Sequence, residues 1–316
     1  MQRAARASCA RLYDHDGSSH PLEAAPTGLA PGADVYLKRE DVHELGAFKW
    51  RGALPALERY RDQGADGVVT ASTGNHGAAT AWAAALLGLK ATVFVPEAAS
   101  RSKLAHLTRL SAEVIETGAD LDEAKVQAVA YADGMGFPFF EDGAEPAQLG
   151  GYAAIGEEIV DELDETAAAV VVPVGNGALL AGVGRAFGTR SPETRRIGVV
   201  SSGAPVMSQS WRSGRPVHSD LCETIADGLA VRVAIPQAVE WLLEAADAML
   251  EVSEAEIAAA VVALDDAGIR VEAAAAAALA AFRYVEADGA IVLVVTGGNI
   301  DDELLARCRA FQGQSQ

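Results

Sequence analysis

Cysteine is scarce in this 316-residue chain: Cys9, Cys222 and Cys308 lie far apart and form no CxxC pair. That argues against a disulfide framework, and the three read as free thiols in a reducing compartment. Basic charge is short as well. Against 44 Asp and Glu there are 25 Lys and Arg, for a formal net charge of −19. Nucleic acid and anionic membrane surfaces require clustered Lys and Arg to meet phosphate, so neither is expected as a partner. A small anionic substrate stays open, because local amide groups hold one without net charge. No apolar run is long and pure enough to be a membrane span. No continuous apolar segment follows the N-terminal arginines, so no signal peptide is read and the cytoplasm is the expected compartment. No internal repeat is present, and no low-complexity tract beyond an alanine bias. Half of the residues are hydrophobic, enough for one large domain or two intimate ones. Only about the first 20 residues and the tail 312–316 read as prone to disorder.

Lysine is the most useful scarcity, since five are few enough to sort one by one. Lys103 and Lys125 sit among polar residues in helix-like stretches and read as solvated. Lys90 lies in the turn before the apolar run 91–95, and Lys38 follows Val35-Tyr36-Leu37 at the end of a short strand. Lys49 alone is flanked by two large aromatics, Phe48 and Trp50, behind Gly46. An amine that must bond an aldehyde needs partial desolvation and a flat neighbouring surface. A lysine snorkelling at the start of an amphipathic helix also fits this stretch.

The order of elements predicts an α/β fold. Residues 21–29 read as loop, 35–37 as a short strand, 38–41 as a charged turn and 48–61 as a helix. Strands at 67–71, 91–96 and 113–117 alternate with helices at 78–87, 100–110 and 121–135, which predicts a parallel sheet with crossover helices. The alternation breaks near 139–150, where Gly150-Gly151 suggests a domain crossing. A helix at 152–163, strands at 168–172 and 196–201, an irregular stretch at 202–235, helices at 239–246, 253–267 and 273–286, and a strand at 291–295 follow. Ser253 with Glu256 has the spacing of a capping box.

Three of these strands run into small polar turns: Ser72–Gly77, Gly175–Ala178 and Thr296–Asn299. In parallel α/β sheets the loops beyond the carboxyl ends of strands gather ligands. Gly175-Asn176-Gly177-Ala178 precedes a helix and suits a phosphate through inward backbone amides; a tight turn without ligand fits it too. Ser72–Gly77 offers hydroxyls, an amide and another helix start, a cradle for a carboxylate. Thr296 can offer one neutral hydroxyl to a ring nitrogen, or can serve simply as a cap.

Seven pieces stand in order along nearly the whole chain: LKRED (37–41), GAFKWRGA (46–53), ASTGNHG (71–77), LGLKATVFVP (87–96), VPVGNGALLAGV (172–183), TIADGLAV (224–231) and VVTGGNID (294–301). Together they resemble the fold type II pyridoxal-phosphate enzymes, and within them the threonine dehydratase and serine racemase branch. The resemblance implies two doubly wound α/β domains with the active site between them: a larger, discontinuous one of residues 1–66 and 144–316 and a smaller one of 67–143. It implies pyridoxal 5'-phosphate as cofactor, with Lys49 as the Schiff-base lysine and Phe48 against the ring. Asn75 would donate to the ring hydroxyl, and Thr296 would meet the pyridine nitrogen. Gly175, Asn176, Gly177, Ala178 and Leu179 would hold the phosphate, and the Gly228 carbonyl would border the ring side of the pocket. Ser72, Thr73, Gly74, Asn75 and His76 would line the pocket for the substrate, its carboxylate above all. A homodimer is the family expectation.

The chain departs from the branch at several positions. Asn176 and Ala178 replace the second and fourth glycines of the phosphate loop, and Ala47 precedes the lysine where serine is frequent. Thr73 stands where the racemases place a serine base, and its methyl group speaks against efficient racemisation. Val200 falls where the branch places a metal-binding glutamate, so no metal is expected at that site. A large C-terminal regulatory domain is not expected, nor feedback control by isoleucine.

The activity so implied is β-elimination from a serine- or threonine-like amino acid to a 2-keto acid and ammonia, with Lys49 as general base. Thr296, being neutral, would leave the pyridine nitrogen unprotonated and so favour elimination. Three other readings stay open: a racemase or β-replacement enzyme on the same scaffold, a non-catalytic homologue or partner-dependent subunit, and an ordinary α/β domain whose motifs are turns and caps.

Overall fold

The structure is a computed structural model that describes residues 20–219 and 222–313. Cys9 and residues 220–221 and 314–316 lie outside the described residues, as does nearly all of the N-terminal stretch expected to be disorder-prone. In chain order the elements are β1 (Leu22–Ala24), β2 (Val35–Arg39), α1 (Trp50–Asp62), β3 (Gly67–Ala71), α2 (Asn75–Leu87), β4 (Lys90–Val95), α3 (Arg101–Arg109), β5 (Glu113–Glu116), α4 (Leu121–Met135) and α5 (Pro146–Glu162). They continue with β6 (Ala169–Pro173), α6 (Ala178–Arg190), β7 (Arg195–Ser201), α7 (Val206–Ser213), α8 (Pro236–Ala245), β8 (Ala248–Val252), α9 (Glu254–Asp266), α10 (Ala273–Phe282), β9 (Ile291–Val295) and α11 (Asp302–Gly313). Among the described residues no helix is long and apolar enough to cross a membrane.

The chain forms two compact units, one of Lys49–Gly151 and one of 20–48 with 152–313. The division read from sequence falls elsewhere, at 66/67 and 143/144, so that 49–66 and 144–151 change sides. In the smaller unit β3, β4 and β5 make a three-stranded parallel sheet. Val69 and Phe94 of its strands pack on Ala124, Ala128 and Ala132, one face of α4 repeating every four residues. Small alanines let that helix lie close to the sheet.

The larger unit is a six-stranded sheet in the order β1-β2-β9-β6-β7-β8. Its strands are parallel except for β1, which runs antiparallel to β2 at the edge. Residues 169–173 and 291–295 are buried throughout. Val171, Val199, Leu293 and Val295 share a core with α9 and α10. Their neighbours along each strand point to the opposite face, because strand side chains alternate. Strands buried on both faces carry continuous apolar runs, and each buried Val or Leu contributes about 1.5–3 kcal/mol.

Several sequence expectations are corrected. Residues 22–24, read as loop, pair with β2 in the register Leu22↔Lys38. Lys38, read in a charged turn, is fully buried, with its Nζ 2.7 Å from Glu158 Oε2 and hydrogen-bonded to the His20 carbonyl. Its counter-charge stands 120 positions away, so local polarity misled. Gly150 and Gly151 lie inside α5, which begins at Pro146 rather than at 152, and the crossing between the two units falls at Gly151, where the glycine pair suggested it. A Cβ on Gly151 would fall 1.7 Å from the Arg51 carbonyl oxygen, so the glycine is there to let two backbones touch. The stretch 202–235 contains α7, and β8 and α11 had no expectation at all. Helix α11 also takes in 312–313, which the sequence placed in the tail. The capping box at Ser253 and Glu256 is present, with Glu256 N–H donating to Ser253 Oγ at 3.3 Å and Ser253 N–H to Glu256 Oε2 at 2.9 Å.

Candidate active site

Lys49 stands at the N-terminal edge of α1, and its amine donates to Asp142 Oδ2 at 2.5 Å. Sequence reading surrounded this amine with aromatics; the flanking rings go elsewhere. Phe48 packs on Tyr152, with ring centroids 5.1 Å apart. Trp50 meets Trp82 edge-on at 6.1 Å. The lysine itself ends on a carboxylate that the sequence did not single out.

Asp142 is held from several sides within the smaller unit. Gln148, on α5, donates from Nε2 to Asp142 Oδ1 at 3.1 Å and accepts the Gly143 N–H on Oε1 at 3.0 Å. His76, in the first turn of α2, brings Nδ1 to 3.7 Å from Asp142 Oδ1. Its Nε2 lies 3.2 Å from the Phe140 carbonyl, which also accepts Thr70 Oγ1 at 2.8 Å. A carbonyl only accepts, so Nε2 carries the hydrogen and Nδ1 faces Asp142. Burial, followed by the charges of Asp142 (raising) and Lys49 (lowering), leaves the His76 pKa below its ordinary value, so the ring is neutral at pH 7. Burial also pushes the Asp142 carboxyl up, but the charge of Lys49 and the hydrogen bonds from Lys49 and Gln148 outweigh it. The carboxyl is held well below the usual carboxylate range.

A stability profile follows from that direction. A carboxyl depressed by folding stabilises the folded state above its unfolded pKa of about 3.9 and loses that contribution as pH falls further, toward the folded value. The unfolding free energy of the cofactor-free protein should therefore exceed that of Asp142→Asn by an amount constant from pH 7 to about 5. The difference should then shrink, by on the order of 2 kcal/mol in all. Urea titrations of both proteins across that range check it, and a gap that widens in acid refutes it.

The turn after β3 places the other expected substrate residues. Ser72 N–H donates to the Phe94 carbonyl at 3.1 Å, and Gly74 N–H to Ser72 Oγ at 3.2 Å. Asn75 opens α2, three residues earlier than the sequence predicted. Ser72, Thr73 and Asn75 are half-buried, Gly74 is exposed and His76 is buried. The structure thus joins Lys49 and His76 through Asp142.

In the larger unit the turn Gly175–Ala178 leads into α6, with Gly177 at φ +97° as its N-cap. A Cβ on Gly175 would fall 2.4 Å from the Gly228 carbonyl oxygen. That places Gly228 over the turn and explains why residue 175 has no side chain. Asn176 Oδ1 accepts the Ala178 N–H at 3.0 Å, and Leu179 is buried behind it. Thr296, 3% exposed, ends β9. Its carbonyl accepts Phe48 N–H at 3.1 Å, Ala47 bridges Gly297, and Gly298 N–H donates to Gly46 O at 2.8 Å. The strip before Lys49 is thereby stitched to the Thr296 turn. Glu272, buried, donates its N–H to the Gly297 carbonyl at 3.0 Å, and its Oε1 stands 2.9 Å from where a Cβ on Gly297 would fall. Val200 is buried on β7 and has no ligating atom.

Residues 17–297 match the family of pyridoxal-phosphate dependent enzymes. The chain belongs to this family. It is 38% identical over 275 residues to an L-threonine ammonia-lyase of Geobacter sulfurreducens, covering 85% of this chain and 68% of that protein. An L-threonine ammonia-lyase of Thermotoga maritima is 35% identical over 280 residues, covering 87% and 70%. The processed form of threonine deaminase isoform 2 from Solanum lycopersicum has the same fold, with a TM-score of 0.88 and 30% identity, covering 94% of this chain and 88% of that one. The resemblance read from the seven sequence pieces, to the threonine dehydratase and serine racemase branch, therefore holds, and the chain is pyridoxal-phosphate-dependent.

The residues present fit that cofactor. Gly175 is bare because another backbone crosses it, and Gly177 turns the chain so that amides gather at the start of a 13-residue helix. One departure has a visible consequence. Asn176 already occupies the Ala178 amide, so a phosphate reaches that N–H only by displacing the side chain. Asp142, Gln148 and Glu272 were missed from sequence. Asp142 and Gln148 lie in or beside a stretch with no periodicity, and Glu272 follows a strand-like pair before the alanine helix.

Proposed function

We propose that the protein is a pyridoxal-phosphate-dependent ammonia-lyase that converts a serine- or threonine-like β-hydroxy-α-amino acid into a 2-keto acid and ammonia. The observation that carries this reading is Lys49, the one lysine in the family's position, half-buried beside Asp142 at the start of α1. Similarity to two L-threonine ammonia-lyases supports the substrate class. Pyridoxal phosphate supplies the electron withdrawal that makes the substrate's α C–H acidic.

The chain's own groups do the rest. Lys49 would hold the cofactor, and its Nζ takes the substrate's α proton. Ser72, Thr73, Gly74, Asn75 and His76 hold the substrate carboxylate with hydroxyls and amides at a helix start, which needs no added cation. Asn75 and Phe48 would hold the cofactor's ring. Gly175, Asn176, Gly177, Ala178 and Leu179 would hold the phosphate, with the Gly228 carbonyl over Gly175. Thr296 would offer the ring nitrogen a neutral hydroxyl. Thr73 is the second-face residue, and its branched side chain disfavours return of the proton to the opposite face. On the family resemblance alone, this reading also makes the protein a cytoplasmic homodimer.

The test is turnover of the cofactor-loaded protein on a panel of L- and D-serine, L-threonine and L-allo-threonine. Equal amounts of 2-keto acid and ammonia are expected from at least one of them. Accumulation of the opposite enantiomer with no keto acid would favour the racemase reading instead.

A further inference from the structure

We infer that Asp142 is a positioning residue for Lys49: it fixes the lysine amine in one place and stabilises it once it carries the substrate's proton. This rests on the reading of Lys49 as the base. Three observations carry it. First, the contact is short and direct, 2.5 Å from Nζ to Oδ2. Second, the carboxylate is fixed independently of the lysine, because Gln148 donates to its other oxygen and is itself held by the Gly143 N–H. Third, His76 leaves the charge on Asp142 uncancelled. Its hydrogen is spent on the Phe140 carbonyl, and burial keeps the ring neutral. Glu141, the neighbouring acid, is taken up by Lys125.

The arrangement separates two roles. The carboxyl of Asp142 is held far below its usual range, so it stays anionic and does not take the α proton. The proton passes from the substrate's α carbon to Lys49 Nζ; the C–H bond breaks, an N–H bond forms, and Asp142 makes no covalent bond. What Asp142 adds is a fixed negative charge against the nitrogen that becomes positive. Charge stabilisation aimed at where charge develops is retained without reorganisation at the moment of reaction. The pocket is then built to finish with a protonated lysine, which suits a base that must later give its proton away.

The test uses Asp142→Asn, Asp142→Glu and Gln148→Met, each loaded with pyridoxal phosphate and compared with wild type. In Asp142→Asn kcat should fall by about 100-fold, in the range typical of general-base support, with KM changed by less than about threefold. The primary isotope effect on α-deuterated substrate should rise, since proton removal becomes slower than the other steps. Titration of the cofactor-free protein with pyridoxal phosphate should give a Kd within about threefold of wild type, because the residue acts on the proton rather than on cofactor retention. Asp142→Glu should recover about tenfold of the lost kcat by restoring the charge. Gln148→Met, which frees the carboxylate without removing it, should show a loss of about three- to tenfold and the same rise in isotope effect, even if Asp142→Asn does not fold. Unchanged kcat and isotope effect in the variants would overturn the proposal, as would a loss expressed wholly in the cofactor Kd. Failure of the parent reading looks different: Lys49→Ala would then retain the absorption of lysine-bonded cofactor.

Discussion

Lys49→Ala is expected to fold, to lose the visible absorption of cofactor bonded to lysine, and to lose at least about 10⁴-fold in kcat, because one residue serves both as the point of attachment and as the base. The other lysines leave little room for a substitute. Lys38 is fully buried on Glu158 in the larger unit. Lys125 is paired with Glu141, and Lys90 and Lys103 are exposed. Folding should survive, because the Lys49 side chain makes no cap of α1 and its carbonyl, which accepts the Gly52 and Ala53 N–H, is kept by alanine; what changes is the charge facing Asp142. Leaving that carboxylate without its cation costs stability, so the variant should melt a few degrees lower while keeping its circular dichroism. Adding Asp142→Asn to Lys49→Ala should return part of that loss. The measurement is an absorption spectrum of the loaded variant beside its melting curve. An unchanged visible band in a folded variant would remove Lys49 from the centre of the site, and with it both the elimination reading and the role given to Asp142.

The fold was most legible where a residue's structure depends on its near neighbours. The buried strands at 67–71, 169–173 and 291–295 are short, mostly apolar runs that stop at small polar turns, and they stand within a residue of where the sequence put them. Helix α4 matches its expected limits at 121 and 135, because Asp120 caps its start and Gly136 turns its end at φ +67°. The turns at Gly175–Ala178 and at Thr296 were legible as turns for the same reason: each is a short polar stop after an apolar strand. What escaped depends on partners distant in sequence. Asp142 is an unremarkable acid until Lys49, 93 positions earlier, lies against it. Lys38 reads as part of a charged turn until Glu158 reaches it, and the close approach of the Arg51 backbone that keeps Gly151 free of a side chain is invisible 100 positions away. Turn-rich composition hid α7, since Gly and Pro around it set its ends rather than dissolved it.

Thr296→Asp is expected to change the reaction type more than the rate of binding. In the native chain Thr296 is buried at the end of β9 and presents a neutral hydroxyl. A carboxylate in its place favours a protonated partner nitrogen, since an opposite charge within hydrogen-bond reach stabilises the charged form. With more charge stabilised there, the deprotonated substrate survives longer before the β-hydroxyl leaves. Exchange of the α proton with solvent should then rise against elimination by about tenfold, the ratio that about 1.4 kcal/mol of added stabilisation gives. Two features of the site oppose the change. A buried carboxylate is costly unless its partner is charged, and Glu272 already lies against the adjoining Gly297. Two acids so close raise each other's pKa, so cofactor affinity should drop, and the ratio must be read only on protein that retains it. The measurement is keto-acid formation beside deuterium uptake at the α carbon in heavy water. If cofactor is retained with a protonated ring spectrum and the ratio stays at its native value, the neutrality of Thr296 does not select elimination. The choice of reaction would then have to lie with Lys49, Asp142 and the residue on the opposite face, Thr73.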